Sequence, residues 1–88
     1  LISVGKAIIK AEVGLHARPA ADFVRAVEMS QHRVLVSKGE KTVPGESILG
    51  VLSLAAHQGE EIEISVEGDR SAEVLALLIA VVEAEKTH

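Results

Sequence analysis

Glu61-Ile62-Glu63-Ile64-Ser65-Val66-Glu67 alternates without a break: Ile62, Ile64 and Val66 point one way, and the glutamates with Ser65 point the other. Side chains change face at every residue of a strand, so this pattern marks a sheet covered on one side and wet on the other. Upstream, residues 2–9 are rich in β-branched side chains and predict a first strand. Residues 17–29 place Ala20, Phe23, Val24 and Val27 at helical spacing, and Ser30-Gln31-His32 closes that helix. Residues 33–38 turn Val34 and Val36 inward as a second strand, Lys38-Gly39-Glu40 makes a hairpin turn, and residues 41–43 return as a third. Pro44-Gly45 stops that strand. Ser47 is the expected N-cap of a short helix over residues 47–55, ended by Gln58-Gly59. After the alternating strand, Gly68-Asp69-Arg70 turns the chain, Ser71 is the expected cap, and a last helix runs to about Glu85. The order is β-α-β-β-α-β-α. Its economical packing is an α+β domain, a four-stranded antiparallel sheet with three helices on the apolar face.

Composition narrows the function classes. The 88 residues suffice for one core, so residues 1–88 are expected to form a single domain. With 48% apolar and 25% charged residues the chain is globular rather than disordered. Phe23 is the one aromatic residue, which leaves an aliphatic core. Cysteine is absent, which removes disulfides and thiol chemistry and fits a reducing cytoplasm, the expected location. A net charge of −4 argues against nucleic acid as a partner. The longest apolar run, residues 74–82, falls well short of the roughly 20 needed to cross a bilayer, so no membrane insertion is expected. That run is apolar on all sides. Either a few aliphatics stay exposed without consequence, or a second face meets a partner. The chain opens at Leu1 directly on a strand, which leaves a free-standing protein and a domain of a longer polypeptide both open.

The chemistry concentrates in Gly14-Leu15-His16-Ala17-Arg18-Pro19-Ala20. Gly14 permits a backbone angle closed to other residues, and Pro19 fits only a first helical turn. His16 and Arg18 therefore stand at the N-terminal end of a helix, where unpaired N–H groups and the helix dipole attract anions. Such an end disfavours imidazolium and stabilises phosphoryl oxygens by up to about 2 kcal/mol, and a guanidinium adds charge-assisted bonds. The pattern suits a histidine that takes up and hands on a phosphoryl group. No glycine-rich nucleotide loop is present, so the group must come from another protein rather than from a bound cofactor, and no cofactor is expected. His32, His57 and His88 lack arginine-proline companions and are expected to be solvated. No histidine pair has the helical spacing of a metal clamp.

The 14–20 segment resembles the active-site motif of the HPr family, the histidine-containing phosphocarriers of the bacterial phosphoenolpyruvate:sugar phosphotransferase system. A second segment, Ser47-Ile48-Leu49-Gly50-Val51-Leu52-Ser53-Leu54, resembles the family's short second helix. The resemblance spans essentially the whole chain and implies an open-faced β-sandwich and a carrier rather than an enzyme. It implies that enzyme I phosphorylates His16 on Nδ1 at the expense of phosphoenolpyruvate, and that the group passes to a IIA domain of a sugar permease. Arg18 would steady the phosphoryl group, and Ala17, Ala20, Ile48, Leu49 and Leu52 would form the docking patch. Ser47 matches the position that an ATP-dependent HPr kinase/phosphorylase modifies in some members, although here Glu46 stands beside it and repels a phosphate. Ala55 replaces the family's usual glycine, so backbone strain there is not expected. The same carrier chemistry would serve a domain of a multiphosphoryl transfer protein or a nitrogen- or dihydroxyacetone-linked phosphorelay. A regulatory HPr-like binding module is the rival from another class, and it would have no need of the histidine.

Overall fold

The alternating segment is the second strand of the sheet in space and carries most of its pairing. The structure, a computed structural model, describes residues 1–84. Its elements are β1 (Ile2–Ile8), α1 (Ala17–Ser30), β2 (Arg33–Lys38), β3 (Lys41–Pro44), α2 (Ile48–Ser53), β4 (Glu61–Glu67) and α3 (Ser71–Glu83). All pairings are antiparallel in the order β1-β4-β2-β3. The register lines up Gly5, Ile64, Val36 and Val43 across one inner row, and Ala7 with Ile62 in the next. These residues, apart from Gly5, are buried with Phe23, Leu15, Val51 and Leu78 in one core. The aliphatic core and the helix-covered face are as the sequence predicts. On the open face Lys6–Glu61 and Arg33–Glu67 make long ion pairs of 3.8 and 3.9 Å, exposed and therefore worth little.

Helix α3 lies against β1, β4 and α1. A side chain at Gly5 would meet Ile79 and Leu75 at 3.1 Å, so the missing Cβ lets helix and edge strand close up. The all-round apolar run is largely used: Leu78 and Val82 are buried, Val74, Leu75, Ile79 and Val81 pack against the core, and Leu77 is left exposed. Glu83 accepts the Ile8 N–H at 3.0 Å and so occupies an edge-strand donor. The expected continuation of the helix to Glu85 and the solvation of His88 lie outside the described residues.

Two local expectations change. Ser71 does not cap α3. Arg70 holds the cap position at φ 58°, because the 68–70 turn delivers the chain in a left-handed conformation. Ser71 is instead the first helical residue, buried, with its hydroxyl hydrogen-bonded to that of Ser3 at 2.7 Å. Nor is His32 merely solvated. Its Nδ1 lies 2.7 Å from the Ser30 carbonyl oxygen and its Nε2 2.6 Å from that of Asp69. Two carbonyls only accept, so both bonds form at once only when both ring nitrogens carry protons. In that doubly protonated form the ring ties the end of α1 to the β4–α3 turn.

The Asp69 carbonyl first, and the Ser30 carbonyl second, raise the His32 pKa above its ordinary value. A raised folded-state value places the stabilisation below the unfolded-state pKa of about 6.5, and it fades as pH rises through the folded-state value. Urea unfolding of the wild type and His32→Gln is expected to show a wider stability gap at about pH 5.5 than at about pH 8.5. A gap independent of pH would contradict the double hydrogen bond.

Candidate functional site

Two loops meet to build the site. Gly14, at φ 74°, brings the 9–16 loop so close to the 54–60 loop that a Cβ would sit 2.6 Å from the Ala56 carbonyl oxygen. The closeness is used: the Leu15 N–H donates to that same oxygen at 2.8 Å. Leu15 and Ala56 are buried beneath the contact. Ile9 exchanges two further backbone bonds with the same stretch, donating to Glu60 at 2.9 Å and accepting from Gly59 at 2.8 Å. The Gln58 side chain donates to the Lys10 carbonyl at 3.1 Å.

His16 leaves this clamp as the N-cap of α1. Its backbone is extended, at φ −130° and ψ 168°, and its side chain makes no capping bond. The residue is half-buried. Ala17 follows at φ 49°, a left-handed conformation that costs a residue with a Cβ roughly 1–2 kcal/mol. That bend aims the chain into the helix directly after the imidazole. The helix provides no acceptor for the N–H groups of Ala17 and Arg18, and Pro19 has no N–H to offer. No acidic residue occupies the first turn to neutralise this end. Arg18 is exposed and enters no ion pair among the described residues. An unoccupied guanidinium, free N–H groups and an accessible imidazole thus share one positive helix end. Such a place can hold a dianionic phosphoryl group while leaving it open to a second protein.

Helix α2 packs beside α1 and shows Leu49 77% exposed and Ile48 39%, with Leu52 half-buried. Ala17, at the head of α1, is exposed as well, so four residues of these two neighbouring helices present apolar surface. Ala20 is no part of it: at 0% exposure it lies in the core, on the α1 face turned to the sheet, and no partner can reach it. Ser47 caps α2, its hydroxyl accepting the Gly50 N–H at 3.0 Å. The helix stops at Ser53, short of residue 55. Lys41 and Lys38 take the Ser53 and Ala55 carbonyls at 3.2 and 2.9 Å, and the chain turns left-handed at Ala55, φ 51°. The alanine therefore does not relieve strain where a glycine was expected. The conformation is held by the Lys38 bond to the Ala55 carbonyl and by the buried Ala56 that follows.

His57 is a neighbour that sequence pattern does not reveal. Its ring centroid lies 6.1 Å from that of His16. Lys38 and Glu60 are further unanticipated parts: Lys38 bridges to Glu60 at 3.0 Å, while Glu60 accepts the His57 backbone N–H at 2.7 Å. That backbone bond, then Lys38, hold the Glu60 carboxyl below its ordinary pKa. Only the need for glycine at position 14 hinted that another backbone passes close by. No cluster of potential metal ligands occurs among the described residues.

The family model described as "PTS HPr component phosphorylation site" matches residues 5–84. The HPr-like protein Crh of Halalkalibacterium halodurans is 38% identical over 77 residues, covering 88% of this chain and 92% of that protein. Phosphocarrier protein HPr of Neisseria meningitidis serogroup A is 36% identical over 67 residues, 76% of this chain and 75% of its own. The crystal structure of a phosphocarrier protein HPr from Bacillus anthracis superposes with a TM-score of 0.87 at 36% identity, covering 92% of this chain and 96% of that one. The fold is thus that of the phosphocarrier class, an open-faced sandwich with three helices on one side of its sheet. The chain belongs to the HPr family.

Relief of the left-handed alanine gives a direct test of the clamp. Ala55→Gly is expected to raise the unfolding free energy by up to about 1 kcal/mol, since glycine accepts positive φ without a Cβ penalty. Denaturant titration reads the change, and a destabilised variant would show that the loop is not held at this angle.

Proposed function

We propose that this domain accepts a phosphoryl group on Nδ1 of His16 from phosphorylated enzyme I, itself charged by phosphoenolpyruvate, and delivers it to a IIA domain of a sugar permease. The supporting observation is the accessible, uncapped imidazole at the acid-free start of α1, with Arg18 unpaired beside it. In the uptake step the lone pair of the neutral imidazole forms the new N–P bond. The old bond on the donor breaks and returns its electron pair to the donor's nitrogen. The phosphoryl charge then faces the Ala17 and Arg18 N–H groups and the Arg18 guanidinium. Delivery is the same exchange run onto the acceptor. In this reading the domain takes up a group and hands it on, and so acts as a carrier.

Ala17, Ile48, Leu49 and Leu52 suit a transient interface that takes one partner after another. Such partners place the protein in the cytoplasm. Ser47 serves as a helix cap, and a kinase acting on it would break the bond to Gly50 and set a phosphate beside Glu46. The match to an HPr-like protein brings a regulatory binding module into view as a second reading. A half-buried, still accessible histidine at the acid-free start of α1 favours the carrier, because binding alone does not require it. A single domain over residues 1–88 could do this work free-standing or within a longer chain.

Enzyme I and labelled phosphoenolpyruvate are expected to label the wild type and to leave His16→Ala unlabelled. Arg18→Ala should fold normally and take the label about tenfold more slowly, the loss of one charge-assisted hydrogen bond. Label on His16→Ala would remove the site. Enzyme I proteins of the sugar, nitrogen and dihydroxyacetone pathways, offered in parallel, identify the donor.

A further inference from the structure

The 54–60 loop carries one side chain that the carrier chemistry above leaves unused. His57 stands with its ring 6.1 Å from the His16 ring, centroid to centroid, and inclined to it by 43°. Its backbone is fixed on both sides. The N–H donates to Glu60 Oε1 at 2.7 Å and the carbonyl accepts from the Glu60 N–H at 3.0 Å. The preceding carbonyl, of Ala56, is the one bonded to Leu15, next to His16. The carboxylate that accepts the His57 N–H, Glu60, is paired with Lys38 at 3.0 Å and so repels an incoming anion less. The His57 ring itself is exposed and has no assigned work in the fold.

We propose that a ring N–H of His57 donates a hydrogen bond to the phosphoryl group when His16 carries it, so that His57 is a second, phosphoryl-holding imidazole of the site. This rests on His16 being the phosphoryl acceptor. A centroid separation of 6.1 Å is too wide for one ring to bond the other directly. It is about the span of a phosphoryl group on one ring followed by a hydrogen bond of about 2.8 Å to the other. An imidazole suits the position because even its neutral form has an N–H to donate, and it places no obligatory cation beside a nucleophile that must stay unprotonated. Donors then reach the phosphoryl oxygens from two separately anchored elements, Arg18 from α1 and His57 from the clamped loop. Spontaneous loss of the group breaks the N–P bond, whose electron pair returns to the His16 ring. Water supplies the new oxygen on phosphorus and a proton to the ring. A donor on the phosphoryl oxygens stabilises the bound state and hinders approach of that water.

The test needs no partner protein. The domain is phosphorylated chemically with phosphoramidate, and the phosphohistidine is followed by phosphorus NMR in wild type, His57→Ala and His57→Gln, with His16→Ala as the control for position. The expected result is a phosphohistidine lifetime about three- to tenfold shorter in His57→Ala and largely restored in His57→Gln, whose amide N–H can donate in place of the imidazole. In wild type the ring nitrogen resonances of His57 are expected to move on phosphorylation. A lifetime in His57→Ala within about twofold of wild type, or unmoved His57 resonances, would overturn the proposal. A phosphorus spectrum of His16→Ala unchanged from that of wild type would instead refute the acceptor assignment. Failure of enzyme I to label a domain that phosphoramidate does label would refute only the donor.

Discussion

A single backbone hydrogen bond, from Leu15 N–H to the Ala56 carbonyl, organises the chemistry of this domain. It joins two loops that leave the sheet at different points of the chain, and it can form only because residue 14 lacks a Cβ. The rest of the site depends on it. It fixes where α1 starts, hence where His16 and Arg18 stand, and it brings His57 across from the other side. The left-handed residues on either side, Ala17 and Ala55, are the conformational cost of that meeting. Two buried side chains, Leu15 and Ala56, lie beneath the bond and offset part of it.

Electrostatics follow the same division. The start of α1 is kept free of carboxylates, and Arg18 stays outside every ion pair among the described residues. Across the clamp, Glu60 is needed to pin the His57 backbone, and Lys38 neutralises it while also holding the Ala55 carbonyl. One lysine thus holds the left-handed turn and neutralises the acid that pins His57. Exposed pairs of this kind contribute little to overall stability, so their role is local geometry.

Much of this was legible in the residues. Strict alternation over residues 61–67 announced a one-sided sheet, and Phe23, Val24 and Val27 at helical spacing announced the face of α1 that covers it. Motif chemistry placed His16 and Arg18 at a helix start because proline tolerates few other positions. The failures share a cause, contacts between segments far apart in sequence. Ala20 reads as a surface neighbour of the motif, yet the turn of the helix carries it under the sheet. Ser71 has the chemistry of a cap, but a hydroxyl on β1 claims it. His32 and His57 look alike as loop histidines. One bridges two carbonyls and the other faces His16, and neither relation leaves a trace in local pattern.

The clamp joins main chain to main chain, and that has a consequence for lineage. Outside position 14, where a methyl group already collides, the joint asks little of side-chain identity beyond the small, buried Ala56 and the buried Leu15. The apolar margin on α2 and the tips of both loops are therefore free to drift while the imidazole keeps its station. A protein built this way can change its associates over evolutionary time without re-evolving its chemistry.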